Sequence, residues 1–136
     1  MKKNILFLFF FSIFQCFGQK YNFNTESKWF LNEYNGKGEQ ILGSESTVKT
    51  TLTLHTNQKL IFIERNIYDD IGNYLKTKVN QYNIIEILER DNDFLFKTAD
   101  LLYRQYVEIT LAKDTSYLSV STKCDSKNCS EFNIYY

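Results

Sequence analysis

The sequence predicts an all-β protein, an antiparallel up-and-down meander of about eight strands. Short stretches of alternating apolar and polar residues recur along the chain, and turn-forming residues separate them every ~8–12 residues. Aromatic residues make up 17% of the chain, with ten Tyr and twelve Phe, and such side chains favour pleated sheet. Together these observations are typical of an antiparallel barrel or sandwich.

The first predicted strand, residues 28–34, places Trp29 and Leu31 on one face and Phe30 on the other. The polar residues 19–27 before it are expected to form a loose lead-in. Residues that alternate in this way at a period of two indicate a strand rather than a helix.

Residues 35–46 contain three of the five glycines, and we expect them to be the longest irregular stretch. The next strand, 47–55, alternates most clearly of all. Its inward side chains are predicted to be Val48, Thr50, Leu52 and Leu54. A tight turn at 56–57 then leads into a strand over 58–68, whose centre is apolar on both faces.

Residues 74–90 are too long for one flat strand, so they predict two strands, 74–79 and 82–89, or one bent strand. A helix competes in this stretch, but its β-prone residues favour strand. The remaining predicted strands are 94–98, 103–111, 117–122 and 132–136. Within 103–111, the side chains expected to point inwards are Val107, Ile109 and Leu111.

The chain begins with a pattern typical of a secretory signal peptide, residues 1–18. Lys2 and Lys3 provide a positive start, and the uncharged run 4–14 is almost wholly apolar. This run is shorter than the ~20 residues that span a bilayer. Cleavage after the signal peptide leaves one domain, 19–136, in the periplasm or outside the cell.

The three cysteines extend this interpretation. Cys16 offers an alternative, a lipoprotein cut before that residue and anchored through it. Cys124 and Cys129 remain in the mature chain, and in an oxidising compartment such a pair predicts a disulfide. Zinc would need more ligands than these two cysteines and the single histidine supply.

The charge balance argues against nucleic acid as a partner. The chain has 16 basic and 16 acidic residues, and removal of Lys2 and Lys3 with the signal peptide leaves the mature domain at −2. No basic excess is available to neutralise phosphates. No segment after residue 18 is apolar enough to be transmembrane.

The early Trp29 on the first strand, followed by a meander of hairpins, resembles the lipocalin-like (calycin) barrels. The similarity is greatest to small exported lipocalin-like domains of Bacteroidota, whose signal peptides often end in a similar Phe-Gly-Gln. Lipocalins have Gly-x-Trp at this strand, and here the residues are Ser27-Lys28-Trp29. The resemblance implies an eight-stranded barrel whose mouth holds one small apolar ligand.

The aromatic surplus provides the candidate ligand-binding residues. The side chains expected to line a cavity include Phe62, Tyr82, Phe94, Phe96 and Tyr103. A small barrel can instead fill its own interior with such side chains. Tyr106 and Tyr117 are predicted to point outwards, where they could form a protein-binding patch.

No catalytic residue, metal site or cofactor is predicted. The chain lacks the usual nucleophile, metalloprotease and phosphate-loop motifs. His55 is expected to be a surface histidine, and the acidic stretches 69–70 and 91–93 to be turn formers rather than calcium loops. The leading hypothesis is therefore a barrel that binds a small hydrophobic molecule. Its rival is a non-catalytic protein-interaction or inhibitor module with a filled barrel.

Overall fold

The computed structural model describes residues 18–32, 35–100, 102–103, 105–122 and 130–136. These residues form ten strands and one short 3-10 helix, Thr56–Gln58, which confirms the predicted all-β fold. The strands are β1 (Gln19–Phe23), β2 (Glu26–Asn32), β3 (Lys37–Gln40), β4 (Val48–His55), β5 (Leu60–Tyr68), β6 (Tyr74–Glu89), β7 (Asp93–Asp100), β8 (Gln105–Ala112), β9 (Leu118–Ser121) and β10 (Glu131–Tyr135).

All ten strands belong to one antiparallel sheet in the order β1-β4-β5-β6-β7-β8-β9-β10-β2-β3. The strands from β4 to β10 form the predicted meander, which curls into a half-barrel. The N-terminal segment joins the two ends of this meander, because β1 pairs with β4 and β2 pairs with β10. An isolated bridge between Glu26 and Ser46 and hydrogen bonds from Asn24 and Thr25 to the Tyr136 carbonyl strengthen this junction.

The inner face of the half-barrel forms the apolar core. Strand alternation turns every second side chain inwards, as predicted for β4 and β8. The core side chains are Phe23, Leu52, Leu54, Ile61, Ile63, Tyr82, Ile84, Phe96, Val107, Ile109, Leu111, Leu118, Val120 and Tyr135. Burial of each large side chain contributes on the order of 1.5–3 kcal/mol to the hydrophobic term.

Two predictions about the N-terminal region were wrong. The expected lead-in at 19–27 contains β1, and the expected irregular stretch at 35–46 contains β3. β3 is exposed and polar, so hydrogen bonding to a neighbouring strand defines it, whereas the short β1 buries Phe23 in the core. Gly36, at φ +66°, makes the turn between β2 and β3, in a backbone region that favours glycine.

Of the two alternatives for 74–90, the structure has the single bent strand. β6 runs unbroken from Tyr74 to Glu89. Its pairing register with β7 shifts between Ile84 and Glu86, which marks a β-bulge. A bulge bends a strand and increases its twist, so β6 can follow the curve of the half-barrel.

Trp29 lies on the outer face of the sheet. Glu26, three residues earlier on β2, pairs with the buried Tyr135, so alternation turns Trp29 the opposite way. There it pairs with Phe132 of β10. Gly38 of β3 covers this pair closely, because a Cβ at Gly38 would come within 2.8 Å of the Phe132 ring.

Several predictions concern residues that the structure does not describe. The signal peptide falls almost entirely on them, as do Cys16 and the proposed disulfide partners Cys124 and Cys129. Across the described ranges, no helix is long and apolar enough to cross a membrane.

Candidate functional site

The connections between strands lie alternately at two ends of the half-barrel. One end carries the β5–β6, β7–β8 and β9–β10 connections. At this end the core gives way to a cavity of about 170 Å³, which we call the end cavity. Its lining residues are Ile63, Arg65, Asn80, Tyr82, Asp100, Tyr103, Gln105, Val107, Val120, Thr122, Asn133 and Tyr135.

The end cavity has an apolar floor and a polar rim. Ile63, Val107 and Val120 belong to the core and are almost fully buried. The next inward position along β5 beyond Ile63 is Arg65, and the polar Asn80 lies on the neighbouring β6. The site therefore presents apolar surface towards the core and hydrogen-bonding groups towards the end of the half-barrel.

Arg65 provides the positive charge in the cavity lining. Its side chain is 20% exposed. Nη2 donates to Asn80 Oδ1 at 2.8 Å, and Nη1 donates to the Tyr135 hydroxyl at 3.4 Å. The nearest carboxylate oxygen, Glu26 Oε1, is 4.0 Å from Nη1. Nε is buried and has no hydrogen-bond partner in the described part of the chain.

A second buried polar atom belongs to the residue that pairs with Arg65 across the strands. Thr50 on β4 is the direct cross-strand partner of Arg65 on β5, and its side chain also faces inwards. Thr50 Oγ1, like Arg65 Nε, has no partner among the residues that the structure describes. Buried polar groups are normally hydrogen-bonded, so two unpaired atoms on one cross-strand pair are an unusual feature of the inner face.

Two buried tyrosines face the same space. Burial raises the pKa of Tyr135 to about 12, with a smaller contribution from Glu26, and Arg65 opposes the shift. Burial likewise raises the pKa of Tyr82 far above its usual range, again against the effect of Arg65. Both hydroxyls therefore stay protonated at neutral pH; that of Tyr135 donates to Glu26 Oε1 at 3.4 Å, and that of Tyr82 can donate to a ligand.

Three acceptors around the cavity are already engaged. Asp100 Oδ1 accepts from the backbone N–H groups of Leu102, at 2.8 Å, and Tyr103, at 3.1 Å. The Thr122 carbonyl accepts from the Gln105 side chain. Asn80 Oδ1 likewise accepts from Arg65 Nη2.

Further charges lie on the same inner face near the mouth of the cavity. Lys78 of β6 is the direct cross-strand partner of Arg65, and Lys76 is the partner of Ile67. Direct partners point to the same side of a sheet, so both lysines follow Arg65 towards the end of the half-barrel. Both are exposed. Glu26, beside Tyr135 on β2, is the nearest negative charge to the guanidinium.

The structure places the five candidate ligand-binding residues in three environments. Tyr82 and Tyr103 line the end cavity. Phe96 is buried in the core, and Phe94 packs against the core with its ring centre 6.4 Å from that of Phe96. Phe62 lies on the outer face, because its neighbours Ile61 and Ile63 point inwards. The structure therefore brings two of the five to the cavity.

The ring of Phe62 contacts His55 on the outer face, with the ring centres 5.6 Å apart in an edge-to-face arrangement. His55 is half-buried there rather than fully exposed. In the described chain, no three His, Cys, Asp or Glu side chains come together closely enough to hold a metal ion.

Sequence reasoning missed the polar rim of the cavity. Arg65 was the residue that could have been found, since it follows Ile61 and Ile63 at the same period of two that marks the inward face of β5. Asp100 and Tyr135 gave no such signal. They are far from Arg65 in the sequence, and only the pairing of the strands brings them to the same cavity.

Compared with known proteins, the chain matches no family model, no curated protein and no solved structure. The resemblance to lipocalin-like barrels therefore continues to rest on the residues quoted for it and on the strand pattern.

Proposed function

We propose that this chain is an exported, lipocalin-like, non-catalytic binding protein that holds a small molecule in the end cavity. The observation that carries the proposal is the cavity itself, which lies at one end of the apolar core. Ligand sites are concave, mostly apolar and furnished with a few convergent polar groups. The apolar floor and the polar rim fit that description.

The size of the cavity limits the ligand. A dry protein cavity of ~150 Å³ accommodates benzene. At about 170 Å³, the end cavity suits a molecule of one ring or a short aliphatic chain, with its apolar part against Ile63, Val107 and Val120. This supports the hypothesis of a small hydrophobic ligand, but one that also carries a polar group.

Methyl-detected NMR titration with benzyl alcohol and 1-hexanol tests the proposal. We expect saturable shifts at the methyl groups of Val107 and Val120, and none at the exposed Leu42. Val120→Phe should fill the cavity and abolish the shifts. Ser119→Phe, at the neighbouring outward position of β9, is the matched control and should leave them intact. Absence of saturable shifts for both probes and for their carboxylate counterparts, benzoate and hexanoate, would contradict the proposal.

A second candidate, a protein-interaction module, is favoured by the edge of β6. In the described residues β7 pairs with β6 only from Tyr82 onwards, so Tyr74 to Gln81 pair with β5 alone. Leu75 and Val79 are more than half exposed on this segment. Such an edge can accept an added strand from another protein.

The charges on this edge favour an acidic partner strand over a second copy of the chain. Symmetric pairing of two copies about Thr77 would set Lys76 of one opposite Lys78 of the other, and like charges directly opposite destabilise a sheet. We therefore expect the protein to be a monomer by light scattering. An extended peptide alternating Glu and Val should broaden the amide signals of Tyr74 to Gln81, and one alternating Lys and Val should not.

A further inference from the structure

We propose that the end cavity selects ligands with a negatively charged group, such as a carboxylate, and that the Arg65 guanidinium recognises it. This inference rests on the proposed function and names the class of its ligand. It identifies the small molecule as a one-ring or short-chain organic acid, whose apolar part occupies the floor of the cavity.

The argument begins with the unused hydrogen-bonding capacity of Arg65. A guanidinium has five N–H donors. Nη2 makes a short hydrogen bond to Asn80 at 2.8 Å, and Nη1 makes a long one to Tyr135 at 3.4 Å. Nε makes no hydrogen bond within the described chain. A buried charge that is incompletely hydrogen-bonded is costly. A carboxylate satisfies such a fork with two parallel bonds.

The groups around Arg65 suit a ligand that accepts hydrogen bonds better than one that donates them. Tyr82 keeps its hydroxyl proton and Arg65 Nε has no partner in the described residues, whereas Asn80 Oδ1 and Asp100 Oδ1 are already engaged. A ligand carrying an amine or ammonium would meet donors at the rim. A ligand carrying a carboxylate would meet hydrogen-bond donors that have no other partner among the described residues, and it could accept from them.

The charges nearby act in the same direction on balance. Lys78 and Lys76 face the same side as Arg65 and extend the positive surface along the β5–β6 hairpin. Glu26 opposes them, but its Oε1 is 4.0 Å from Nη1 and accepts from Tyr135 at 3.4 Å, so it does not pair with Nε. The Asp100 carboxylate is held by two backbone N–H groups.

Two pairs of probes of matched size separate charge recognition from simple cavity filling. Benzoate is compared with benzyl alcohol, and hexanoate with 1-hexanol, by NMR titration of the purified protein near neutral pH. We expect each anion to bind about tenfold or more tightly than its neutral counterpart, since charge-assisted hydrogen bonds are roughly twice as strong as neutral ones.

Variants then assign the preference to Arg65. Arg65→Met should remove the preference for the anions but retain binding of the neutral probes. Arg65→Lys should retain part of it, because the charge stays while the fork is lost. Arg90→Met makes the same change on an exposed turn and should have no effect. Glu26→Gln should tighten anion binding severalfold, because it removes the opposing charge, which a merely structural role of Arg65 does not predict.

The outcomes distinguish this inference from the proposed function. Anion preference that disappears in Arg65→Met and increases in Glu26→Gln supports both. Equal binding of anions and neutral probes to the wild-type protein overturns the charge recognition and leaves cavity binding in place. Failure of all four probes to bind overturns both. If Arg65→Met does not fold by its amide spectrum, Arg65→Lys and Glu26→Gln decide the question.

Discussion

Thr50 and Arg65 are directly opposite each other on β4 and β5, and each buries a polar atom with no hydrogen-bond partner in the described residues. Their side chains share the inner face next to the end cavity. Two such atoms on one cross-strand pair are unusual in a folded protein, because buried polar groups are nearly always satisfied. The pair marks the point where the interior changes from packed core to the end cavity.

Thr50→Val should therefore leave stability unchanged within about 0.5 kcal/mol, or raise it slightly, because no protein hydrogen bond of the side chain is lost. Thr98→Val is the matched control. Thr98 is equally buried, but its Oγ1 donates to the Val107 carbonyl at 2.8 Å. We expect Thr98→Val to cost about 1–2 kcal/mol. Urea denaturation of both variants measures the difference, and equal costs would contradict the interpretation.

Leu52→Ala should lower the free energy of unfolding by about 2–5 kcal/mol, because it leaves a cavity in the packed core. Leu52 is fully buried on the inner face of β4. Leu42→Ala, at a fully exposed leucine, should change stability by no more than about 0.5 kcal/mol. Denaturant unfolding of both variants compares them. A small effect of Leu52→Ala would mean that the half-barrel is not packed as described.

Stability should fall as the pH rises above 10. The pKa of Tyr135 is about 12 in the folded protein against 10.0 for an ordinary tyrosine. Between these values the unfolded chain loses the proton and the folded chain keeps it, so the contribution is present below pH 10 and is lost towards pH 12. A shift of this size corresponds to about 3 kcal/mol at most.

Tyr135→Phe removes this ionisation and should flatten the decline. The free energy of unfolding is compared between about pH 8 and pH 11 for the wild type and the variant, so that other titrating groups cancel. Tyr136→Phe, at the exposed neighbouring residue, is the control. Parallel pH profiles for wild type and Tyr135→Phe would count against the buried hydroxyl.

Thr115→Gly should raise the free energy of unfolding by about 1 kcal/mol. Thr115 has φ +62° in the turn between β8 and β9, a conformation that is unfavourable for a β-branched residue. Its backbone N–H donates to the Ala112 carbonyl, and glycine preserves that bond. Ser116→Gly, one residue on, should be neutral or destabilising. A loss of stability in Thr115→Gly by thermal denaturation would contradict this account.

Much of the fold could be predicted from local pattern. Each predicted strand has a counterpart whose ends differ by two residues or fewer, apart from the two expected in 74–90, which form one. The inward residues of β4 were identified correctly, because alternation at a period of two is visible in the sequence. β3 was not predicted, since a polar strand is defined by its hydrogen-bonded neighbour and carries no apolar pattern. β1 was not predicted, because its two inward residues, Tyr21 and Phe23, are too short an alternation to mark a strand.

The candidate site was less accessible from the sequence. Tyr82 and Tyr103 were selected as aromatic residues and lie at the cavity, but the same argument selected Phe62, which lies outside. Composition does not distinguish the two faces of a strand that is apolar on both. In β5 the face depends on how Ile61 and Ile63 pair with β4 and β6.

The sequence by itself determined the class of structure and the positions of most strands, because backbone alternation is a local property that side-chain order records directly. Only the tertiary structure decided which residues meet. Glu26, Arg65 and Tyr135 are far apart in the chain and come together because β2, β5 and β10 belong to one curled sheet. Their contacts depend on strand register and curvature, which are set by packing over the whole chain.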